Sequence, residues 1–451
     1  MFGIASFRGG INPPSGKEQT INQSTELLPP PPYVVIYMLQ HAGSPSLPVV
    51  KAGDSVRVGQ LIGEQSGQIC SAVHSSVSGK VTDIKRFPHP SGMLLTAVKI
   101  ENDNSREIQY MPALEKPWKE VAPGELIQII SNAGIVGMEG KAFPTHIKLS
   151  PLADKTIDTL IINGIEDEPF ITSDSRLLIE KTEEVLTGAL IAKKILGTKT
   201  AILAIESAKH GIGKIISEAV NDPKYKDIKL TGLKKKYPLG SEKMLVWALL
   251  KRQAPSGGTL HDCGCVVLNA GTVYAIWNAL CNNLPLYERI ITVAGPAVRS
   301  PKNLLVPIGT PLRYILDYCD TNMAETKKIV MGGAMTGNAQ SDLNVSVQKS
   351  TVGIVAFNSL VEGSKRYNCI NCGNCVKVCP IRLIPSSLAK YVGKNNIEEA
   401  RNCGIMDCIE CGSCAYVCPA KINLVHYMKL GKYRIAGECT DNFQKKETMQ
   451  P

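Results

Sequence analysis

Cys369-Ile370-Asn371-Cys372-Gly373-Asn374-Cys375-Val376-Lys377-Val378-Cys379-Pro380 sets four cysteines in the spacing C-x2-C-x2-C-x3-C ahead of a proline. Cys408, Cys411, Cys414 and Cys418 repeat that spacing ahead of Pro419. Eight of the fifteen cysteines are used in this way. Thiolates at this step let a short, tightly wound loop wrap one face of a 4Fe–4S cluster, so the doubled motif predicts two clusters and single-electron chemistry. Structural zinc takes four ligands, usually as two separated pairs, and has no use for a third cysteine at the same step plus a fourth. Disulfides need an oxidising compartment, and residues 1–10 contain Arg8 and no apolar stretch of signal-peptide length.

In two-cluster ferredoxins the fourth cysteine of each motif serves the other cluster. The expected sets are therefore Cys369, Cys372, Cys375 and Cys418 for one cluster, and Cys408, Cys411, Cys414 and Cys379 for the second. The fourth cysteine is expected to start a helix, with Pro380 and Pro419 suited to its first turn. Ile370, Ile409, Val376, Val378, Ala415 and Val417 supply apolar cover. Cys403 has no place in either motif and reads as a buried thiol.

A chain of 451 residues has room for about three domains or more. Its longest apolar runs, such as residues 33–39, fall far below the roughly 18 residues needed to span a bilayer. The chain is therefore expected to be cytoplasmic or peripheral to a membrane. The formal charge of +10 is scattered, apart from Lys234, Lys235 and Lys236. Seven Phe and three Trp in no stacking pattern argue against nucleic-acid binding. An acidic partner or an anionic membrane surface suits the mild positive charge better.

The chain opens with an extended lead-in through Pro29–Pro32, followed by short strands and turns over residues 49–84. The latter look like the two half-motifs of a lipoyl- or biotinyl-type barrel-sandwich domain. Its modification hairpin would be Ser71-Ala72-Val73-His74-Ser75-Ser76, which has no lysine, so a structural or docking role is expected. Residues 120–296 alternate strand and helix in the α/β manner. Strands are expected at residues 159–162, 201–205, 266–268 and 290–293, helices at 126–132 and 176–196, and a helical or buried run from 245. A compact α/β unit with a strand at residues 329–330 follows, then a helical linker at 386–401 between the cysteine motifs and a polar, disordered end over 441–451.

Two segments upstream carry ligand chemistry. Gly134, Gly137 and Gly140 fall at steps of three before Phe143-Pro144-Thr145-His146, and missing Cβ atoms let backbone approach a flat ring or a phosphate. An ordinary glycine-rich loop is the alternative, and the order is not that of a G-x-G-x-x-G fingerprint. Asn163-Gly164-Ile165-Glu166-Asp167-Glu168-Pro169 follows an expected strand, where ligands of α/β sheets bind; a solvated acidic turn is the alternative.

Together with Tyr237-x-x-Gly240-x-Glu242 and Asn269-x-x-Thr272, these segments occur in the order seen in the flavoprotein subunit of respiratory complex I. The resemblance is closer to the RnfC family. That family shares Phe7–Ile11, His74–Gly79, Phe143–His146, Met331–Met335 and both cysteine motifs, so the resemblance spans nearly the whole chain. It implies an FMN site built from the loop of Gly134, Gly137, Gly140 and Lys148, with Asn163, Glu166, Glu242, Asn269 and Thr272. Asn163 and Asn269 would donate to FMN, Glu166 and Glu168 would border the nicotinamide of NAD(H), and Phe143 would stack in the dinucleotide pocket. Lys148 would face a phosphate. The family loop runs close to Gly-x-Gly-Gly-Ala-Gly-Phe-Pro-Thr; Glu139, Lys141 and Ala142 depart from it, and the first two would crowd a flavin or repel its phosphate.

The fold class implied is multidomain α/β. It comprises a barrel-sandwich region (1–105), a Rossmann-like FMN/NADH domain (118–300), a small β-grasp-like domain (301–355), a two-cluster ferredoxin-like domain (360–433) and a polar tail (434–451). The function implied is electron transfer between NAD(H), FMN and two 4Fe–4S clusters, with no side chain acting as acid or base. The setting would be the cytoplasmic face of a membrane-bound, ion-translocating ferredoxin–NAD oxidoreductase, with partner subunits and, through them, ferredoxin. Two other readings stay open: a soluble flavin and iron–sulfur reductase of the cobalamin-reductase or hydrogenase-diaphorase type, and a flavin-free electron carrier.

Overall fold

The computed structural model describes residues 6–152, 154–207, 211–359 and 366–447, with side chains described through 437. The chain divides into two units. The first holds Pro14–Lys234 and Gly264–Ser359; the second holds Ala5–Pro13, Lys235–Cys263 and the cysteine-rich C-terminal part.

The first unit contains four sheets. After β1 (Thr25–Leu27), strands β2 (Tyr33–Tyr37), β3 (Leu47–Pro48), β4 (Ser55–Val56), β5 (Leu61–Glu64), β6 (Val73–His74), β7 (Gly79–Pro88) and β8 (Leu94–Asn102) make two small sheets, ordered β2-β8-β7-β4 and β3-β5-β6. Val34, Ile36, Val56, Ile62, Val73, Val81 and Val98 close one core between them, as a barrel-sandwich requires. The lysine-free hairpin is buried. Its Ser76 Oγ donates to Ile308 O (2.5 Å), and just beyond it Ser78 Oγ donates to Glu107 O (2.7 Å).

Next come α1 (Pro123–Asn132), α2 (Thr145–Lys148), β9 (Thr159–Gly164), α3 (Ser173–Glu180), α4 (Thr182–Leu196), β10 (Thr200–Glu206), α5 (Ile212–Val220) and β11 (Ile228–Leu233). The helix expected over 176–196 is two helices that part at Lys181, whose backbone leaves the helical region (φ −133°, ψ 39°). In the second unit α6 (Glu242–Leu250) follows; in the first, β12 (Cys265–Asn269) and α7 (Ala270–Cys281) resume. Strands β9 to β12 form an all-parallel sheet in the order β11-β10-β9-β12. Their near-continuous apolar runs suit strands covered on both faces. Helices α4 and α7 pack so closely that a Cβ on Gly188 would lie 2.2 Å from Val273 O.

The fourth sheet is six-stranded and mixed. It takes β13 (Glu288–Ala294), β14 (Lys302–Pro307), β15 (Lys328–Met331), β16 (Asn338–Gln340) and β17 (Gly353–Phe357), with α8 (Leu312–Tyr318) after β14. Its order is β1-β14-β13-β17-β15-β16. Two expectations change here. The strand at 290–293 pairs with β14 and β17 rather than with the parallel sheet, and part of the lead-in becomes its edge strand β1.

The second unit carries α9 (Asn374–Val378), α10 (Pro385–Gly393), α11 (Ile397–Asn402), α12 (Ser413–Tyr416) and α13 (Leu424–Glu447). Leu388, Val392, Ile405, Leu424 and Met428 form its core. The fourth cysteine does not start a helix. Cys379 caps the end of α9 in an extended conformation (φ −65°, ψ 114°), because the following proline disfavours helical backbone there. Helix α13 continues to Glu447 where a disordered end is expected; 448–451 lie outside the described residues, as do 360–365 at the expected start of this domain.

Candidate flavin cleft and iron–sulfur centre

Strand order in the parallel sheet runs outward from β9 through β10 to β11, then reverses to β12 on the other side of β9. Ligands of open α/β sheets bind at such a reversal, beyond the strands' carboxyl ends. Asn163 and Asn269 stand there as register partners on β9 and β12. Asn163 is fully buried; its Oδ1 accepts from Ile165 N (3.1 Å) and its Nδ2 donates to Glu139 Oε1 (3.0 Å). Asn269 caps α7, accepting from Gly271 N (2.8 Å), and donates to Asp174 Oδ2 (2.5 Å).

The glycine loop is laid over these two amides. Thr272 Oγ1 accepts from Met138 N (2.9 Å), Arg289 Nη1 donates to Met138 O (2.9 Å), and Gly137 N donates to Phe143 O (2.9 Å). Burial pulls the Arg289 guanidinium down to about 10, against the support of Asp174 and Glu139. The three glycines differ in role. Gly140 (φ +61°) opens onto free space, with nothing within 4 Å of a Cβ built on it, as a ligand-facing turn needs. A Cβ on Gly137 would meet only ordinary contacts. Gly134 (φ +66°) is held by packing, since its Cβ would lie 2.2 Å from Ala72 O. The open turn at Gly140 and the two side-chain amides fit a flavin in kind, with the amide N–H groups held here by Glu139 and Asp174.

Other expected site residues are engaged by the chain itself. The Glu166 carboxylate turns back onto the start of α3, accepting from Asp174 N (2.8 Å), Ser175 N (3.2 Å) and Ser175 Oγ (2.5 Å), where unpaired N–H groups and the helix dipole favour an acid. Glu168 accepts from Met335 N (2.9 Å) and Thr336 Oγ1 (2.5 Å), and burial pushes its carboxyl up. Gly333 makes room for it, since a Cβ there would sit 2.1 Å from the Glu168 carboxyl carbon. This explains the Met331–Met335 segment. Phe143 and Lys148 are half-buried, Lys148 closing the short α2. Glu242 opens α6 in the second unit.

Sequence reasoning missed Lys349. It is 1% exposed, and its Nζ donates to Ala72 O (2.6 Å) and Gly134 O (2.7 Å), tying the barrel-sandwich hairpin to the glycine loop. Burial lowers it to about 7. A lysine in a polar loop carries no sequence sign of such burial. His41 and His74 are buried nearby, lowered to about 4 and about 3 by desolvation first and by Lys349 second. Both values lie below the unfolded 6.5, so the unfolded chain binds more protons from that pH downward. Stability is then present above pH ~6.5 and lost as the pH falls toward ~4, by about 3 kcal/mol per pH unit for the two together. Urea midpoints of the first unit at about pH 7 and about pH 5 check this slope; equal midpoints contradict it.

In the second unit Cys379, Cys408, Cys411 and Cys414 line one cavity, closed by Pro380, Ile409, Leu383 and Met428. These four are the crossed set expected from the spacing. Among the described residues no group of three His, Cys, Asp or Glu is placed to hold a single metal ion. Burial pushes the Cys408 thiol up to about 11 and raises Cys379, Cys411 and Cys414 as well. Leu383 N donates to Cys379 Sγ (3.3 Å) and Glu410 N to Cys408 Sγ (3.4 Å), contacts that also stabilise thiolate. Of the other set, Cys369 and Cys372 are exposed, Cys375 is half-buried and Cys418 is buried. Two further expectations are corrected. Cys403 is exposed, because it follows α11 at the surface, and Ile370 is 66% exposed rather than covering. Phe7–Ile11 straps this domain: Gly10 N donates to Val378 O (2.8 Å), Ile11 pairs with Tyr237, and Tyr237 Oη donates to Cys411 O (2.6 Å).

Three family models match the chain: an RnfC barrel-sandwich hybrid domain over 5–105, a Nuo51 FMN-binding domain over 130–278 and a 4Fe–4S dicluster domain over 368–422. The corresponding component of the proton-translocating ferredoxin:NAD+ oxidoreductase complex of Clostridium ljungdahlii is 42% identical over 96% of this chain and 95% of its own. The chain belongs to the RnfC family. The Na+-translocating counterpart from Acetobacterium woodii is 38% identical over 96% of this chain and 98% of its own, and the counterpart in the ion-translocating oxidoreductase complex of Rhodobacter capsulatus 37% over 96% and 83%. As an RnfC family member the chain carries an FMN-binding domain and a 4Fe–4S dicluster domain. The crystal structure of a NAD+-reducing [NiFe]-hydrogenase in the H2-reduced state shares the fold, with a TM-score of 0.50 and 16% identity over 70% of this chain and 62% of that one. Among the described residues no helix is long and apolar enough to cross a membrane.

Proposed function

We propose that this chain is the NAD(H)-facing electron-transfer subunit of a membrane-bound ferredoxin–NAD oxidoreductase that couples electron flow to ion translocation. The observation that carries the reading is the pairing of Asn163 with Asn269 at the strand-order reversal, in a chain whose other unit gathers four thiols of both cysteine motifs around one cavity. A flavin exchanges a hydride with NAD(H) and single electrons with a cluster. The chain's residues bind and orient: Asn163, Asn269 and Thr272 with the Gly137–Gly140 turn form the flavin cleft, Arg289 holds that turn through Met138 O, and Lys349 ties Gly134 to the barrel-sandwich hairpin. Phe143 and Lys148 border the dinucleotide. Glu166 and Glu168 act at one remove, by ordering α3 and the Met331–Met335 segment beside the cleft.

One cluster takes Cys408, Cys411, Cys414 and Cys379; the other takes Cys369, Cys372, Cys375 and Cys418. The domains follow as a barrel-sandwich (1–105), an FMN/NADH domain (118–300), a β-grasp-like domain (301–355) and a two-cluster domain (360–433), with the place of β13 in the mixed sheet supporting an earlier start for the β-grasp part. Partner subunits supply the ion path and the link to ferredoxin, and the chain sits peripherally on the cytoplasmic face. Anaerobic purification with flavin and iron assays tests the reading: about one FMN and about eight iron per chain are expected. Eight iron with no flavin after reconstitution would sink it.

A further inference from the structure

The cleft already contains an acceptor. Glu139 reaches from the glycine loop to the buried end of β9 and takes the Asn163 amide N–H at 3.0 Å. The residue beside it, Gly140, has nothing within 4 Å of a Cβ built on it, so the loop is open at its tip. A second carboxylate, Asp174, holds the Asn269 amide at 2.5 Å. Both acids act on the same buried cation, Arg289, whose Nη1 is already bonded to the Met138 and Lys349 carbonyls. The two amides at the strand-order reversal are thus each met by a carboxylate of this chain.

We propose that Glu139 competes with the flavin for the Asn163 amide and sets how tightly the cleft binds it. The inference rests on the reading that the cleft takes FMN. A flavin brings carbonyl acceptors that need N–H donors, and FMN adds a phosphate that a nearby carboxylate repels. Entry therefore requires Glu139 to leave Asn163. A charge-assisted hydrogen bond is stronger than one to a neutral acceptor, so the competition is felt as weakened flavin affinity. Asn163 itself then serves the flavin once Glu139 has released it.

The test is a fluorescence-quenching titration of the flavin-stripped full-length chain with FMN, using wild type, Glu139→Ala and Glu139→Gln. Glu139→Ala removes the competitor on a half-buried loop and is expected to tighten binding about tenfold or more. Glu139→Gln keeps an acceptor within reach of Asn163 but drops the charge, and its gain is expected to fall between wild type and Glu139→Ala. Unchanged or weaker binding by Glu139→Ala overturns the proposal, as does an equal gain from both variants, which would leave charge alone as the cause. If wild type and both variants all fail to bind FMN, the flavin reading itself falls, and this inference with it.

Discussion

Alanine at Cys414 will cut the iron content from about eight to about four per chain, and alanine at Cys379 will remove the same four. The two substitutions fall in different motifs, 35 residues apart in sequence by their numbers (414 − 379). They nevertheless line one cavity with Cys408 and Cys411. The double variant is therefore expected to lose no more iron than either single one. If ligation followed the motifs instead, the double variant would lose both clusters and fall toward zero. Iron assay with low-temperature electron paramagnetic resonance separates these outcomes. Cys414 is buried within the core of its domain, so loss of its cluster is also expected to lower that domain's thermal midpoint.

Alanine at Gly134 is the second large effect. The residue has φ +66°, where a Cβ costs about 1–2 kcal/mol. The added Cβ would also lie 2.2 Å from Ala72 O and 2.9 Å from Lys349 Nζ. Backbone oxygen cannot give way as a side-chain end can, so overpacking adds about 1–3 kcal/mol. The strain falls on the staple between the barrel-sandwich hairpin and the glycine loop. Urea unfolding should show the summed loss of about 2–5 kcal/mol, and FMN affinity should fall with it. A change under about 0.5 kcal/mol, the range of an ordinary surface substitution, would mean that the staple does not hold the loop.

The parts legible in the sequence were those whose chemistry dictates spacing or whose burial dictates composition. Cluster ligation demands cysteines at set steps, and three thiols of the second motif line one cavity with Cys379. The parallel strands announce themselves because residues 160–162 and 266–268 are apolar and covered on both faces. An apolar run does not say which sheet it joins, and so residues 290–293 read as one more strand of the α/β segment although β13 pairs in the mixed sheet. Thr25–Leu27 is too short and exposed to read as a strand; only β14 makes it one.

Charged residues deep in the fold were the least legible. Arg289 and Lys349 are 4% and 1% exposed, and composition places such residues at the surface. Each is kept inside by backbone carbonyls that come together only in three dimensions. Glu166 is singled out by the resemblance, which sets it beside the nicotinamide, and nothing in the sequence shows that its carboxylate also accepts from the first N–H groups of α3. Glu139 stood out in the sequence only as a departure from its family's small residues, and its contact with Asn163 gives that departure a physical consequence.

NAD(H), flavin and clusters are expected to exchange electrons within this one chain. The direct measurement is to reduce the purified, reconstituted chain anaerobically with dithionite, remove excess reductant and add NAD+. The account predicts NADH formation with a matching loss of the reduced-cluster resonance signal, and neither change in a flavin-stripped sample. NADH formation while the clusters stay reduced, or no NADH from a chain holding both flavin and clusters, would contradict it.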